Sequence, residues 1–128
     1  MKNFIIIFMI LVSYGYTNNI YYYKDNQKIT IIPIISLSRN NLNIDYYQND
    51  KGIKLGVTNK LIVKLEDAIN LEQVLIEFKL ILEKKLSKNL YLLKTANKNL
   101  TIDISNRLSE KEYIKYAHPD FIKKRKFR

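Results

Sequence analysis

Hydrophobic and polar residues alternate over residues 60–66, KLIVKLE, as they do along a β-strand with one buried face. Leu61, Val63 and Leu65 share one side, while the other side is mostly charged. Three further short stretches combine apolar residues of high β-propensity with turn-forming neighbours, and they are residues 81–86, 90–95 and 113–117. The pattern predicts four strands in the second half of the chain.

Between the first two of these strands, apolar residues recur with helical spacing. The residues at positions i, i+3, i+4 and i+7 are Leu71, Val74, Leu75 and Phe78. Asn70 is a candidate N-cap, and Gln73 three residues later gives a capping-box pattern. The sequence therefore predicts an amphipathic helix within residues 70–80.

A second helix is predicted within residues 99–111, where the pattern admits two interpretations. Leu100, Ile102 and Ile104 alternate as in a strand, whereas Leu100, Ile104 and Leu108 step as in a helix. The stretch is long and begins with an asparagine that can cap, and both features favour the helix.

The order of these elements from residue 60 is β-α-β-β-α-β. This is the split βαβ pattern of ferredoxin-like folds, in which four antiparallel strands carry two helices on one face. The sequence predicts an α+β domain of this kind over residues 60–119. Because the fold hosts many unrelated functions, it does not by itself indicate one.

The first half of the chain shows a weaker pattern. Residues 20–35 predict a β-hairpin, because aromatic and β-branched residues flank the turn-forming pair Asp25 and Asn26. Residues 36–59 are rich in Asn, Asp and Ser and predict an irregular connector, with one short strand near residues 42–47. We expect an N-terminal hairpin extension and a connector between residue 16 and the α+β domain.

The N-terminus has the pattern of a secretory signal peptide. Lys2 supplies a positive charge, residues 4–12 are apolar, and Ser13 and Gly15 are small residues where signal peptidase reads them. The apolar run is too short to span a bilayer, which takes about 20 residues. We expect residues 1–15 to be removed from an exported protein that retains no stable membrane span. A buried N-terminal strand is the alternative.

Composition excludes several function classes. The 128 residues suffice for one domain, and they include no cysteine and a single histidine. One histidine excludes a metal site or catalytic triad that needs two imidazoles, and the sequence has neither a Gly-rich phosphate loop nor a nucleophile elbow. We expect no catalytic residues, no cofactor and no metal, and therefore not an enzyme.

The net charge of +10 is concentrated at the C-terminus. Residues 120–128 form a basic tail whose five cations are Lys123, Lys124, Arg125, Lys126 and Arg128. The remaining positive charge is spread over the chain, which indicates a solvated surface more than a nucleic-acid interface. Nucleic acid is therefore not an expected partner.

The tail begins within His118-Pro119-Asp120, the tripeptide found in J-domains. In those domains the tripeptide joins two long helices, but only eight residues follow Asp120 here. The residues before His118, which include Tyr113, Ile114 and Tyr116, also favour a strand over a helix. We therefore interpret the tripeptide as the exit from the fourth strand.

Residues 60–122 resemble the N-terminal propeptides of subtilisin-like serine proteases, related to the peptidase inhibitor I9 family. Such domains open on a strand and a helix like KLIVKLED and NLEQVLIEFKL, and continue with a strand pair like ILEKKLSKNLYLLKT and a second helix. They close on a strand in which Tyr and Ala precede His or an acid, Pro, Asp or Asn, and an aromatic residue. The closing residues are here Tyr116, Ala117, His118, Pro119, Asp120 and Phe121.

The resemblance implies an exported domain that assists folding of a subtilisin-like serine protease and then inhibits it. The sheet would pack on two helices of the protease, with Lys64, Lys84 and Lys94 at the surface. The closing residues would lie in the substrate cleft as an added strand. Lys124 and Arg125 form a possible dibasic processing site. The Asp, His and Ser segments of the catalytic domain are absent, so we expect a free-standing inhibitor, a remnant of a truncated protease gene or a piece of a longer protein.

Two further functions remain open from the residues alone. A small exported structural or adhesion protein could use the Tyr-rich hairpin at residues 20–35. A polyanion-binding protein could use residues 123–128, and its binding would fall steeply with salt.

Overall fold

The computed structural model describes residues 20–39 and 43–124. Within them the chain is an α+β protein with two antiparallel sheets and few helices. The predicted signal peptide, with Ser13 and Gly15, lies outside the described residues, as does Arg125 of the possible processing site.

The elements follow one another along the chain as nine strands, three α-helices and two 3₁₀ turns in the described part. In order they are β1 (Ile20–Lys24), β2 (Gln27–Pro33), α1 (Ile35–Arg39), β3 (Asp45–Asn49), β4 (Lys54–Val57), β5 (Lys60–Leu65), a 3₁₀ turn (Ala68–Asn70), α2 (Leu71–Glu77), β6 (Ile81–Ser87), β7 (Leu90–Lys94), a 3₁₀ turn (Lys98–Leu100), α3 (Thr101–Ser109), β8 (Ile114–Pro119) and β9 (Ile122–Lys124).

Strands β5 to β8 form a four-stranded sheet in the order β6-β7-β5-β8, with every neighbouring pair antiparallel. Alternate side chains of β5 and β7 enter one buried cluster together with residues of α2 and α3. Both helices therefore pack against the same face of the sheet. The predicted face of α2 is confirmed, since Val74 and Phe78 are buried in this cluster and Leu71 and Leu75 pack against it.

The helix starts differ from the prediction. Asn70 makes no side-chain capping bond, because a 3₁₀ turn precedes α2 and is capped by Asp67, which accepts from the Ile69 N–H at 3.1 Å. The start of α3 repeats this arrangement, since Asn97 rather than Asn99 is the capping residue. Asn70 therefore lies at the N-cap position of α2, as expected, but without the capping bond, because the chain already turns three residues earlier.

The other five strands form a five-stranded sheet in the order β1-β2-β3-β4-β9. The predicted hairpin of β1 and β2 is confirmed, and Asp25 and Asn26 have φ angles of 52° and 66° at its turn. Two consecutive positive φ angles suit a two-residue hairpin turn, because they match the twist of the strands. Asn and Asp tolerate this conformation better than most residues.

The connector predicted for residues 36–59 is more regular than expected, because α1, β3 and β4 occupy about half of it, and β3 overlaps the short strand predicted near residues 42–47. Its polar residues close a tight turn between the two strands. The Asn49 side chain accepts hydrogen bonds from the Lys51 and Ile53 N–H groups at 2.9 Å each, and Gly52 has a φ of 79°. Because these turn-forming residues lie close together, the stretch has the composition of a loop, although they only connect two short strands.

The end of the chain also differs from the prediction. Strand β8 continues to Pro119, so His118 and Pro119 lie within the strand rather than beyond it. The segment that follows does not stay free, because β9 pairs with β4 as the edge of the five-stranded sheet. Through Lys124, the predicted basic tail is therefore part of the fold.

Helix α3 connects the two sheets. Ile104 and Leu108 belong to the cluster under the four-stranded sheet, whereas Ile102 packs against the buried cluster of the five-stranded sheet. Asn106 Nδ2 donates to the Tyr21 backbone carbonyl at 2.8 Å, which ties α3 to β1. The N-terminal half of the described chain is therefore held against the predicted α+β domain.

Candidate protein-docking surface

The four-stranded sheet has a second face, opposite α2 and α3, which we call the outer face. Because Leu61, Val63 and Leu65 point into the core, the alternate residues of β5 point outward, and the register extends this to the neighbouring strands. The outer-face residues include Lys60, Ile62, Lys64, Ile81, Lys84, Ser87, Leu90, Leu92, Lys94, Tyr116 and His118. None of them belongs to either buried cluster.

The centre of the outer face is apolar. Ile62 lies opposite Leu92 on β7 and opposite His118 on β8. Leu90 completes the apolar centre beside Leu92, and all of these side chains are half-buried. Apolar groups in a row on an uncovered sheet face are typical of a surface that contacts another protein.

Lysines surround this centre. Lys60 and Lys94 lie opposite each other and share the Glu83 carboxylate, at 3.1 and 4.0 Å. Lys64 Nζ donates to the Lys88 backbone carbonyl at 3.2 Å. Four lysines and one nearby carboxylate give the face a positive character, which favours a partner with an acidic surface. The three lysines predicted at the surface, including Lys84, are partly or fully exposed here.

One corner of the outer face carries the only histidine of the sequence. The His118 ring stacks on Tyr116 with centroids 5.8 Å apart and planes inclined by 10°. His118 Nδ1 lies 2.9 Å from the Pro119 carbonyl oxygen. The stack holds a flat aromatic surface at the edge of the sheet, and 41% of Tyr116 remains exposed.

The six residues predicted to enter a protease cleft all lie in β8 or in its connection to β9. Ala117 and Pro119 are fully buried, and the Asp120 N–H donates to the Lys60 carbonyl at 3.0 Å. Phe121 meets Tyr22 edge to face, with centroids 4.7 Å apart. Cleft binding by these residues stays a prediction, and it requires part of this segment to leave its present partners.

A groove of about 370 Å³ lies beside that segment, between the two sheets. Tyr22, Leu55 and Phe121 give it apolar walls, and Asp50 and Lys123 lie among its charged residues. Burial, with a smaller contribution from Asp50, raises the pKa of Tyr22 above its ordinary value of 10.0.

A larger and more polar cavity of about 720 Å³ lies near the start of α3. Its two lysines already have partners, since Lys98 contacts Asp45 at 2.6 Å and Lys60 contacts Glu83. In the described part of the chain, no three His, Asp or Glu side chains are placed to hold a metal ion. None of the helices between residues 20 and 124 that the structure describes is long and apolar enough to cross a membrane.

The sequence contains a signal for the outer face, which is the presence of apolar residues on the side of a strand opposite its buried side. Ile62, Leu90 and Leu92 are apolar residues on the side of their strands that should be polar. A strand that is apolar on both sides predicts that something covers both. The carboxylate of Glu83, which organises two of the lysines, had no such signal because bulges in β6 determine where it points.

No family model matches the sequence, and comparisons with curated proteins and with solved structures find no match.

Proposed function

We propose that this chain is an exported, propeptide-like domain that binds a subtilisin-like serine protease as a folding assistant and inhibitor. The proposal comes from the resemblance of residues 60–122 to I9-type propeptides. It includes the ferredoxin-like assignment of β5 to β8 with α2 and α3. The order β6-β7-β5-β8 and the position of both helices on one face support that assignment.

The observation that carries the proposal is the outer face. A sheet whose second face has an apolar centre and a lysine rim, and whose residues enter neither core, is suited to packing against another protein. Ile62 and Leu92 would supply the buried contacts, and Lys64 and Lys84 would meet acidic groups at the rim. Binding would then need no rearrangement of the sheet.

The test is inhibition of a subtilisin-like protease from the same organism by the purified chain. We expect slow, tight inhibition and faster recovery of activity when the denatured protease refolds with the chain present. Ile62→Glu should weaken inhibition by at least about tenfold, because it places an unpaired carboxylate at the centre of the contact.

The matched control is Ile32→Glu, the same change at an isoleucine of the five-stranded sheet that is 66% exposed. It should leave inhibition unchanged. Equal inhibition by the Ile62 and Ile32 variants would remove the outer face from the interface. If the unsubstituted chain neither inhibits the protease nor assists its refolding, the proposal itself is contradicted.

The Tyr-rich hairpin gives no comparable support for a structural or adhesion role. Tyr22 is buried in the five-stranded sheet, Tyr21 and Tyr23 contact each other edge to face at 5.6 Å, and Tyr23 donates to Glu110. These rings are engaged within the molecule. Polyanion binding depends on residues that lie mostly outside the described part of the chain, and it stays a prediction.

A further inference from the structure

The C-terminal segment of the described chain belongs to both sheets. The Asp120 N–H donates to the carbonyl of Lys60, in the four-stranded sheet, at 3.0 Å. Two residues later Ile122 lies opposite Gly56 on β4, in the five-stranded sheet. Residues 120–124 therefore cross from one sheet to the other.

Strand β4 and its neighbours are shaped to receive this segment. Phe121 inserts against the ring of Tyr22, and Ile122 lies across Gly56. A Cβ atom at Gly56 would lie 2.8 Å from Ile44 Cγ2 and 3.0 Å from Tyr46 Cε1, and 3.4 Å from Ile122 Cβ. The missing side chain therefore makes room chiefly for Ile44 and Tyr46, at the start of the neighbouring strand β3, and Ile122 reaches ordinary van der Waals distance of the same place.

The pairing of β9 with β4 is nevertheless short. Strand β9 has three register pairs with β4, and Ile122 keeps 44% of its surface exposed. Strand β8, by contrast, has five register pairs with β5 and includes the fully buried Ala117 and Pro119. Short edge strands with exposed side chains open locally at much lower free energy than strands inside a core.

We propose that β4 is an acceptor edge for an exchangeable strand, and that residues 121–124 leave it in a local opening that hinges at Asp120. Residues 116–119 stay in β8 throughout. The opened segment presents the unpaired backbone of Phe-Ile-Lys-Lys, which an extended-peptide acceptor can bind by strand addition.

The exchangeable strand would regulate the proposed function, and its effect on inhibition rests on that function. The protease cleft and β4 compete for the same segment, so the five-stranded sheet restrains the inhibitor until its partner is present. The cleft-directed part then begins at Asp120, and not at Tyr116 as the resemblance alone implies. Competition of this kind slows inhibition without requiring any change on the outer face.

Hydrogen exchange on the full chain tests the opening without any protease. We expect the amides of β9 to exchange about 100-fold faster than those of β8, under conditions where the rest of the chain stays protected. Equal protection of β9 and β8 would mean that β9 opens only with the whole fold, and it would overturn the proposal.

A reversible lock tests the consequence. Lys54 and Lys124 are register partners, and the chain has no cysteine, so Lys54→Cys with Lys124→Cys can form a single disulfide across β4 and β9. Opposed residues of antiparallel strands have the Cα separation that a disulfide requires. The oxidised protein should inhibit the protease at least tenfold more slowly than the same protein after reduction.

The control lock is Ile32→Cys with Gln48→Cys, which joins β2 to β3 in the same sheet and should leave the inhibition rate unchanged in both redox states. Equal inhibition by oxidised and reduced Lys54/Lys124 variants would overturn the competition while the proposed function stands. Local opening of β9 without inhibition in any form would contradict the proposed function and leave the acceptor edge supported.

Discussion

The two sheets of this protein are built in different ways. The four-stranded sheet takes its strands and both covering helices from the continuous stretch 60–119, and twelve buried residues of the described chain form its core. The five-stranded sheet has three buried residues in its cluster, Tyr22, Ile31 and Leu55, and it takes one strand from the other end of the chain.

The difference indicates which sheet depends on the other. The five-stranded sheet has β9 at one edge, a strand that follows the four-stranded sheet in sequence, and it contacts α3, which belongs to the stretch 60–119, through β1. Its own core is small, so its edges and its contacts with α3 carry a larger share of its stability. We expect the four-stranded sheet to persist when the five-stranded sheet opens, and the reverse not to occur.

The largest effect is expected from Leu61→Ala. Leu61 is fully buried at the centre of the larger core, where neighbours on both helices and on two strands limit collapse around a cavity. We expect a loss near the upper end of about 2–5 kcal/mol in the free energy of unfolding, measured by urea denaturation. Both sheets should be lost in one transition. Leu86→Ala, at a leucine that is 40% exposed, is the control and should cost little.

Ile31→Ala tests the smaller core. Ile31 is 1% exposed, but few buried neighbours surround it, so the site can relax. We expect a loss near the lower end of about 2–5 kcal/mol, with amides of β1 to β4 exchanging faster while those of β5 and β7 stay protected. Ile32→Ala, next to it and exposed, should change neither. If the amides of both sheets lose protection from exchange together, the four-stranded sheet does not persist without the five-stranded one, and the expected difference between them is wrong.

Thr101→Val tests the hydroxyl groups at the start of α3. Thr101 is fully buried, and its hydroxyl donates to the Thr58 carbonyl at 2.7 Å, while Thr95 Oγ1 lies 3.3 Å away. The substitution keeps the shape and leaves the Thr58 carbonyl without this donor, so we expect a loss of about 1–3 kcal/mol by urea denaturation.

The control for Thr101 is Thr30→Val, the same change on an exposed part of β2, which should cost under about 0.5 kcal/mol. If the two valine variants lose the same stability, the buried hydroxyl contributes nothing beyond its shape. The junction between β4 and α3 would then depend on packing alone.

The sequence predicted the four-stranded sheet because the residues that form its core recur with the period of a strand or a helix. Leu61, Val63 and Leu65 alternate, and the helix faces repeat every three to four residues. It did not predict β4 and β9, and it anticipated β3 only as a short strand near residues 42–47, since strands of three to five residues with at most two buried side chains have no such period. Their pairing depends on partners far away in the chain, as for Ile122 opposite Gly56.

In the candidate site, too, the features that follow from local periodicity were predicted, and the contacts between distant parts of the chain were not. The lysines of the outer face were expected from the strands that carry them, and the exposed side of each strand follows from its buried side. The role of Tyr22 in receiving Phe121 could not be predicted, because it joins residues at opposite ends of the chain. The resemblance implied a free tail after the closing strand β8, whereas pairing with β4 in the five-stranded sheet makes residues 122–124 of that tail a strand.

The smallest effect is expected from Tyr23→Phe, which tests how β1 is held to the end of α3. Burial, and then the hydrogen bond that Tyr23 donates to Glu110 Oε2 at 3.0 Å, raise the pKa of Tyr23 from 10.0 to about 12. A raised pKa means that the folded chain holds this proton more tightly than the unfolded chain does. The stabilisation is therefore complete below pH 10 and is lost as the pH rises towards 12.

For a surface hydrogen bond we expect the Phe variant to lose under about 1 kcal/mol at neutral pH, and the difference from the unsubstituted chain to vanish in strong alkali. The tyrosinate absorbance lost in the variant should titrate near pH 12. Tyr113→Phe is the matched control, because the Tyr113 hydroxyl is buried without a hydrogen-bond partner in the described chain, so its removal should not lower stability. A midpoint near pH 10 for Tyr23 would mean that the Glu110 bond does not help to hold β1, which leaves its pairing with β2, the Asn106 bond and the packing of Tyr22 against Phe121.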